Sequence, residues 1–140
     1  PIGKARRLRI GEGPISVAIM SWGTMVLEAC TAAADVINRE GIAIEVVDLR
    51  TLAPFDGEAV IASVREANRV IVVTEEIDLT SFGRHLHSWI VQNCFYDLDT
   101  TPAFISALPA PPAPYNAPEE VAMYPTAKTI EEKIEELLEE

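Results

Sequence analysis

The residues with the types that chemistry uses fall in a few places along the chain. The stretch "DLRTLAPFD", Asp48 to Asp56, holds a carboxylate, a guanidinium, a hydroxyl and a second carboxylate. "VTEEIDLTSFG" places Glu75, Glu76 and Asp78 close together, a grouping that suits a divalent cation or carboxylates that raise one another's pKa for acid–base work. His85 and His87 are candidate bases or metal ligands, and Cys30 and Cys94 are the only thiols.

Spacing weakens each of these in turn. No second acidic or histidine cluster sits at a matching strand end, so Glu75, Glu76 and Asp78 read as a solvated loop or a subunit contact. Helical neighbours on one face are three or four residues apart, so His85 and His87 point in different directions and cannot share a metal. Cys30 and Cys94 have neither metal-ligand nor redox spacing and sit in apolar helical patterns, where cysteine packs as a small hydrophobe. That usage is compatible with a reducing cytoplasm. The first loop, "SWGTM", has one glycine, short of a dinucleotide fingerprint or a P-loop. No G-x-S-x-G elbow appears. The Asp48–Asp56 stretch reads as a structural turn. Pro54 stiffens it, Asp56 caps the helix that follows, and Asp48 with Arg50 is expected to form a local ion pair.

The elements that would position these residues alternate. "PISVAIMSW" (Pro14–Trp22), "IAIEVVDL" (Ile42–Leu49), "RVIVVTEE" (Arg69–Glu76) and "AFISAL" (Ala103–Leu108) read as buried strands. Between them, apolar residues recur at helical spacing after Thr24, after Asp56 and over Phe82–Phe95. Thr24 is a candidate cap, and Gly41 suits the left-handed position that ends the first helix. "IDLTS" is expected as a polar connection. "PAPPAPYNAPEE" contains five of the ten prolines and is expected as an extended surface segment. The final helix turns Ile130, Ile134 and Leu137 to one side and glutamates to the other. This order predicts an α/β domain with helices on both faces of a largely parallel sheet. We expect a single domain over 1–140, with a lead-in over 1–13, a Pro-rich segment over 109–125 and an acidic terminal helix over 126–140.

The bulk properties agree. Of 140 residues, 49% are hydrophobic and 24% charged, as in an ordinary globular protein. No apolar run approaches the roughly 20 residues of a membrane span. The net charge of −11 disfavours nucleic acid and anionic membrane as partners. The charge is uneven: Lys4, Arg6, Arg7 and Arg9 lead the chain, and a run of glutamates closes it. No signal peptide is visible, and a chain opening on Pro1 is expected to be a piece of a longer one.

Several of these stretches, taken in order, resemble the carboxyl-terminal domain of transketolase-like, thiamine-diphosphate-dependent enzymes. They are "PIGKA", "WGTMVLEA", "DLRTLAPFD", "VIVVTEE", Phe82–Gly83, "FYDLD", "PAPY" (Pro112–Tyr115) and "YPTAKTI". "PIGKA" and "PAPY" are most similar to the beta chains of 2-oxo acid dehydrogenases of the pyruvate dehydrogenase type. Transketolase and deoxyxylulose-phosphate synthase share the domain and remain alternatives, as does a stand-alone α/β module for subunit association. Thr80 and Ser81 replace glycines usual in the family, and "ALPAPPAPY" departs from its Gly-x-Asp-Thr-Pro run.

The resemblance implies three α/β/α layers and a mostly parallel five-stranded sheet with one antiparallel strand. It implies a catalytically silent fragment, since thiamine diphosphate and magnesium belong to other domains of the parent enzyme. It implies, as partners, the chain's own pyrimidine-binding domain, an alpha subunit, a second beta subunit and the basic subunit-binding domain of an acyltransferase core. Asp99, Glu139 and Glu140 would meet that last partner. Location would be the cytoplasm, or the mitochondrial matrix in a eukaryote.

Overall fold

The structure, a computed structural model, describes residues 1–109 and 123–140. Five strands form one sheet: β1 (Arg6–Ile10), β2 (Ile15–Ser21), β3 (Ala43–Asp48), β4 (Val70–Ile77) and β5 (Ala103–Ala107). Their order across the sheet is β1-β3-β2-β4-β5. Pairing is parallel except at the edge, where β1 runs antiparallel to β3 from Arg6 opposite Asp48 to Ile10 opposite Ile44. Among the described residues, the helices that flank the sheet are α1 (Met25–Glu40), α2 (Gly57–Ala67), α3 (Phe82–Cys94) and α4 (Ala127–Glu139).

Alternation along the strands divides the core in two. On one face, Val17, Ile19, Ile44, Val46, Ile71 and Val73 pack against α1 and α4, with Ile130, Ile134 and Leu137 as the anchors of α4. On the other, Ala18, Met20, Val47, Val70 and Val72 pack against α2 and α3 through Val60, Val64, Leu86 and Ile90. The three layers and the single antiparallel strand are those the sequence resemblance implies.

The antiparallel strand lies where the residues suggested only a basic lead-in. In β1, Leu8 and Ile10 face the α1 side and pack on the core there. Arg7 faces the other way, and Arg6 and Arg9 are exposed, so the apolar signal is half that of an interior strand. Two further differences are local. Thr24 adopts a helical conformation and makes no cap hydrogen bond, because its hydroxyl donates to Glu75 instead. "IDLTS" is not simply a connection: β4 continues through Ile77, Asp78–Thr80 forms a turn of 3-10 helix, and Ser81 caps α3 by accepting from the Arg84 N–H. Most of the expected Pro-rich segment, including Pro112–Tyr115, lies outside the described residues.

Asp56 and Gly41 behave as expected. Asp56 accepts from the Ala59 N–H at 3.2 Å, and Gly41 closes α1 at φ 66°.

Candidate functional site

Open α/β sheets bind ligands outside the carboxyl ends of their strands, where neighbouring strands send their chains to opposite faces. Here that place is the crevice between β2 and β4, because α1 leaves toward one face and α3 follows on the other. The chain's own side chains bond across it. Ser21 Oγ donates to the Val73 carbonyl at 2.9 Å, and Thr24 Oγ1 donates to Glu75 Oε2 at 2.8 Å. Glu76 accepts from Thr74 Oγ1 at 3.1 Å and from the Phe82 N–H at 3.4 Å. On the α3 side, Trp22 and Phe55 both pack edge-on against Phe82, with centroids 5.4 and 5.6 Å apart.

The acidic cluster is dispersed by these contacts. Glu75 and Glu76 turn to different hydroxyls, and Asp78 is gripped by Arg84 through Nε at 2.6 Å and Nη2 at 2.5 Å. The Arg84 hydrogen bond holds the Asp78 carboxyl below its usual range. Among the described residues no three His, Cys, Asp or Glu side chains are grouped to hold a metal ion, and the charges of Glu75, Glu76 and Asp78 would repel a diphosphate. The donor set at this edge does not fit thiamine diphosphate with its magnesium ion.

The histidines separate as expected. His87 Nε2 lies 2.8 Å from the Pro102 carbonyl, while His85 is exposed beside Phe82. Burial raises the thiol pKa of both Cys30 and Cys94, which keeps them in the unreactive protonated form.

The Asp48–Asp56 loop is a clamp. The expected Asp48–Arg50 ion pair does not form. Instead the Arg50 backbone N–H donates to Asp48 Oδ1 at 3.1 Å, and Arg50 takes φ 64°, which directs its side chain to solvent. Pro54 follows a cis peptide bond. The loop holds the start of the chain: the Gly3 N–H donates to Thr51 Oγ1 at 3.1 Å and the Ala5 N–H to Asp56 Oδ2 at 2.9 Å. The Ala5 bond first, and then the one from the Ala59 N–H, place the Asp56 pKa below its usual value.

The residues expected to meet a partner lie at the opposite edge, by the amino ends of the parallel strands. Asp99 Oδ2 is 3.5 Å from Arg69 Nη1, and Arg69 Nη2 also donates to the Glu140 backbone carbonyl at 3.3 Å. Thr100 Oγ1 donates to Glu140 Oε2 at 2.7 Å. Asp99 and Glu140 are thus brought together around Arg69. Glu139 is not; it faces a shallow cleft with Glu40, Glu135 and Leu138.

Sequence reasoning missed the residue that builds this corner. Asn68 ends α2 in the left-handed conformation at φ 62°. Its carbonyl accepts from the Asp99 N–H at 2.8 Å, and its Nδ2 donates to the Asp97 carbonyl at 2.7 Å. An asparagine before a strand is a recognisable helix-end signal, but its distant partners are not visible in the sequence.

The fold class defined by this sheet order and these layers is shared with a solved split-gene transketolase, an inactive β4 tetramer. The two superpose with a TM-score of 0.78 over 98% of this chain and 43% of that one, at 21% identity. The chain belongs to the transketolase C-terminal domain family, whose profile matches residues 3–130. Among curated relatives, the pyruvate dehydrogenase E1 component subunit beta of Mesostigma viride is 33% identical over 139 residues, covering 99% of this chain and 41% of that protein. The 2-oxoisovalerate dehydrogenase subunit beta of Bacillus subtilis is 33% identical over 115 residues, 82% of this chain and 34% of the relative. This chain therefore spans less than half the length of the curated relatives it matches.

Proposed function

We propose that this chain is the carboxyl-terminal domain of the beta subunit of a thiamine-diphosphate-dependent 2-oxo acid dehydrogenase, acting on pyruvate or a branched-chain 2-oxo acid. The parent enzyme decarboxylates its substrate and passes the acyl group to lipoamide, with thiamine diphosphate and magnesium held by other domains. This domain is silent in that chemistry. It supports association with its own pyrimidine-binding domain, an alpha subunit and a second beta subunit. Through Asp99, Glu139 and Glu140 it docks the basic subunit-binding domain of the acyltransferase core. The parent works in the cytoplasm, or in the mitochondrial matrix in a eukaryote; no described helix is long and apolar enough to cross a membrane.

The observation that carries this proposal is the division of labour between the two sheet edges. The chain's own hydrogen bonds span the strand ends where such sheets bind ligands, while Asp99 and Glu140 converge, exposed, at the far edge. Leu27 and Leu79 are also left exposed, Leu79 at 89%, which suits a surface covered by other subunits.

The test is to assemble the full-length beta chain with its alpha partner and measure both 2-oxo acid decarboxylation and affinity for the subunit-binding domain. Asp99→Lys should leave decarboxylation unchanged and weaken docking by tenfold or more at low salt, about what losing one charge-assisted contact implies. Unchanged docking would remove Asp99 from the interface. Ketol transfer between sugar phosphates, without 2-oxo acid decarboxylation, would assign the parent to the transketolases instead.

A further inference from the structure

Phe95 and Tyr96 follow α3 and are the least explained apolar residues of the fold. Phe95 is 63% exposed and Tyr96 97%, so neither contributes to the core. They are nevertheless fixed. Their rings meet edge-on at 5.3 Å, they form a turn of 3-10 helix with Asp97, and Asn68 pins the next residues through the Asp97 carbonyl and the Asp99 N–H. Exposed aromatics on a rigid backbone lose little entropy on binding, which is why such residues dominate interface energetics. Beside them opens a cleft of about 430 Å³, lined by Val91, Phe95, Tyr96, Leu98, Thr101 and Pro102. Asp99 and Thr100 form its polar lip.

Charge selects the occupant. Two of the parallel strands here are entered directly from the carboxyl end of a helix, α1 before β3 and α2 before β4, and α4 ends beside Arg69. Helix carboxyl ends carry partial negative charge, so this edge favours cations. Asp97, Asp99 and Glu140 add full charges. Arg65 meets Asp97 and Arg69 meets Asp99 at 3.5 Å, and Arg69 also donates to the Glu140 carbonyl, so two cations answer three carboxylates and the edge stays acidic. A second copy of this chain would bring its own acidic balance, −11 overall, against an electronegative edge.

We infer that the Phe95–Tyr96 cleft is the apolar anchor point of the docking surface, taking from a basic partner an aliphatic side chain with an adjacent arginine or lysine. The aliphatic group enters between Val91, Leu98 and Pro102, and the cation lies over the Tyr96 ring within reach of Asp99. The inference rests on the docking role proposed above and assigns to aromatic contact the share of affinity that salt does not screen.

Calorimetric titration of the assembled full-length enzyme with the purified subunit-binding domain, at low and high salt, tests it. Tyr96→Ala should weaken binding by about tenfold at both salt concentrations, as loss of an aromatic hot spot does, whereas Asp99→Lys weakens it mainly at low salt. Tyr96→Phe keeps the ring and should bind nearly as the wild type. Because Tyr96 is exposed, an unchanged melting temperature should accompany the loss. Wild-type affinity in Tyr96→Ala, with Asp99→Lys impaired, overturns the cleft and leaves the docking role standing. If neither variant changes binding, or the wild type does not bind, both are overturned. Loss of self-association in Tyr96→Ala by sedimentation, without loss of docking, identifies a second copy as the occupant and also overturns the inference.

Discussion

The Ala5 backbone N–H donates to Asp56 Oδ2 at 2.9 Å, across 51 positions of the chain. The other oxygen of the same carboxylate caps α2, so one side chain fixes both the entry to β1 and the start of a helix. Asp56→Ala should cost about 2 kcal/mol, the upper range for a helix cap because a second backbone bond is lost with it. The fold holds the Asp56 pKa below its ordinary value of 3.8, chiefly through the Ala5 bond. A depressed carboxylate contributes stability that is full above the unfolded value and is lost as pH falls through the folded one. The stability difference between wild type and Asp56→Ala, from urea unfolding, should therefore be constant near neutrality and shrink below pH 3.8.

What the sequence disclosed and what it withheld divide on a physical line. Strands β2 to β5, the capping role of Asp56, the left-handed Gly41 and the buried stripe of α4 follow from local signals: alternation, helical period and capping chemistry. The partners of polar side chains follow from topology. Asp48 and Arg50 are neighbours in sequence, yet the left-handed turn at Arg50 sends the guanidinium away and leaves only its N–H to Asp48. Glu75 is one of an acidic trio in sequence, yet β4 delivers it to Thr24 across the crevice. A resemblance alone singles out Asp99 and Glu140, and only the folded chain shows Arg69 drawing them together while Glu139 faces elsewhere.

Arg7 and Glu45 are a second such pairing, and they explain how the cationic lead becomes a strand. Alternation on β3 places Glu45 on the α2 face, 4% exposed, where Arg7 Nε meets it at 3.0 Å and Ser63 Oγ at 2.5 Å. Arg7 also reaches Glu66 on α2 at 2.8 Å. Removing the cation leaves a buried carboxylate with one hydroxyl partner, so Arg7→Met should cost about 3 kcal/mol. The double variant Arg7→Met with Glu45→Gln should recover part of that loss, because no uncompensated charge remains. Hydrogen exchange should report the weakness first at the amides of β1. A double variant no more stable than Arg7→Met alone would assign the cost to packing rather than charge.

Gly83 sets how closely α3 approaches the sheet. A Cβ there would lie 2.9 Å from Phe104 Cε2 and 3.0 Å from Thr74 Cγ2. Arg84 tightens the same contact by stacking 4.0 Å from the Phe104 ring centroid. Gly83→Ala should destabilise by roughly 2 kcal/mol through overpacking, even though alanine favours helix. Phe104→Leu introduced with it should restore part of the loss, and a double-mutant cycle of melting temperatures measures the coupling. Additive effects would show that the helix shifts without pressing on Phe104.

The seam between α1 and α4 contains the one carboxyl whose pKa the fold raises among those described. A hydrogen bond to Asp35, with burial and repulsion adding to it, lifts Glu131 above its ordinary value of 4.5, against the pull of Arg39. Arg39 Nη2 lies 3.5 Å from Glu131 and 2.6 Å from Glu135, and Glu28 on α1 accepts from the Ala127 N–H at 2.8 Å. A raised carboxyl contributes stability that is full below the unfolded value and is lost as pH rises through the folded one. At neutral pH the Asp35–Glu131 pair therefore works against the docking of α4, which Ile130, Ile134 and Leu137 maintain. Asp35→Asn removes the repulsion, keeps the Arg39 contact and supplies an amide that can donate to Glu131. It should stabilise the protein at pH 7 by roughly 0.5 kcal/mol, the scale of a solvent-exposed charge pair. The gain should fade as pH falls toward 4.5, as Glu131, whose pKa is raised above that value, takes up a proton. Stability measured by urea unfolding from pH 4 to 8 checks the sign, and an Asp35→Asn curve parallel to the wild type across that range would show that the two carboxyls do not interact.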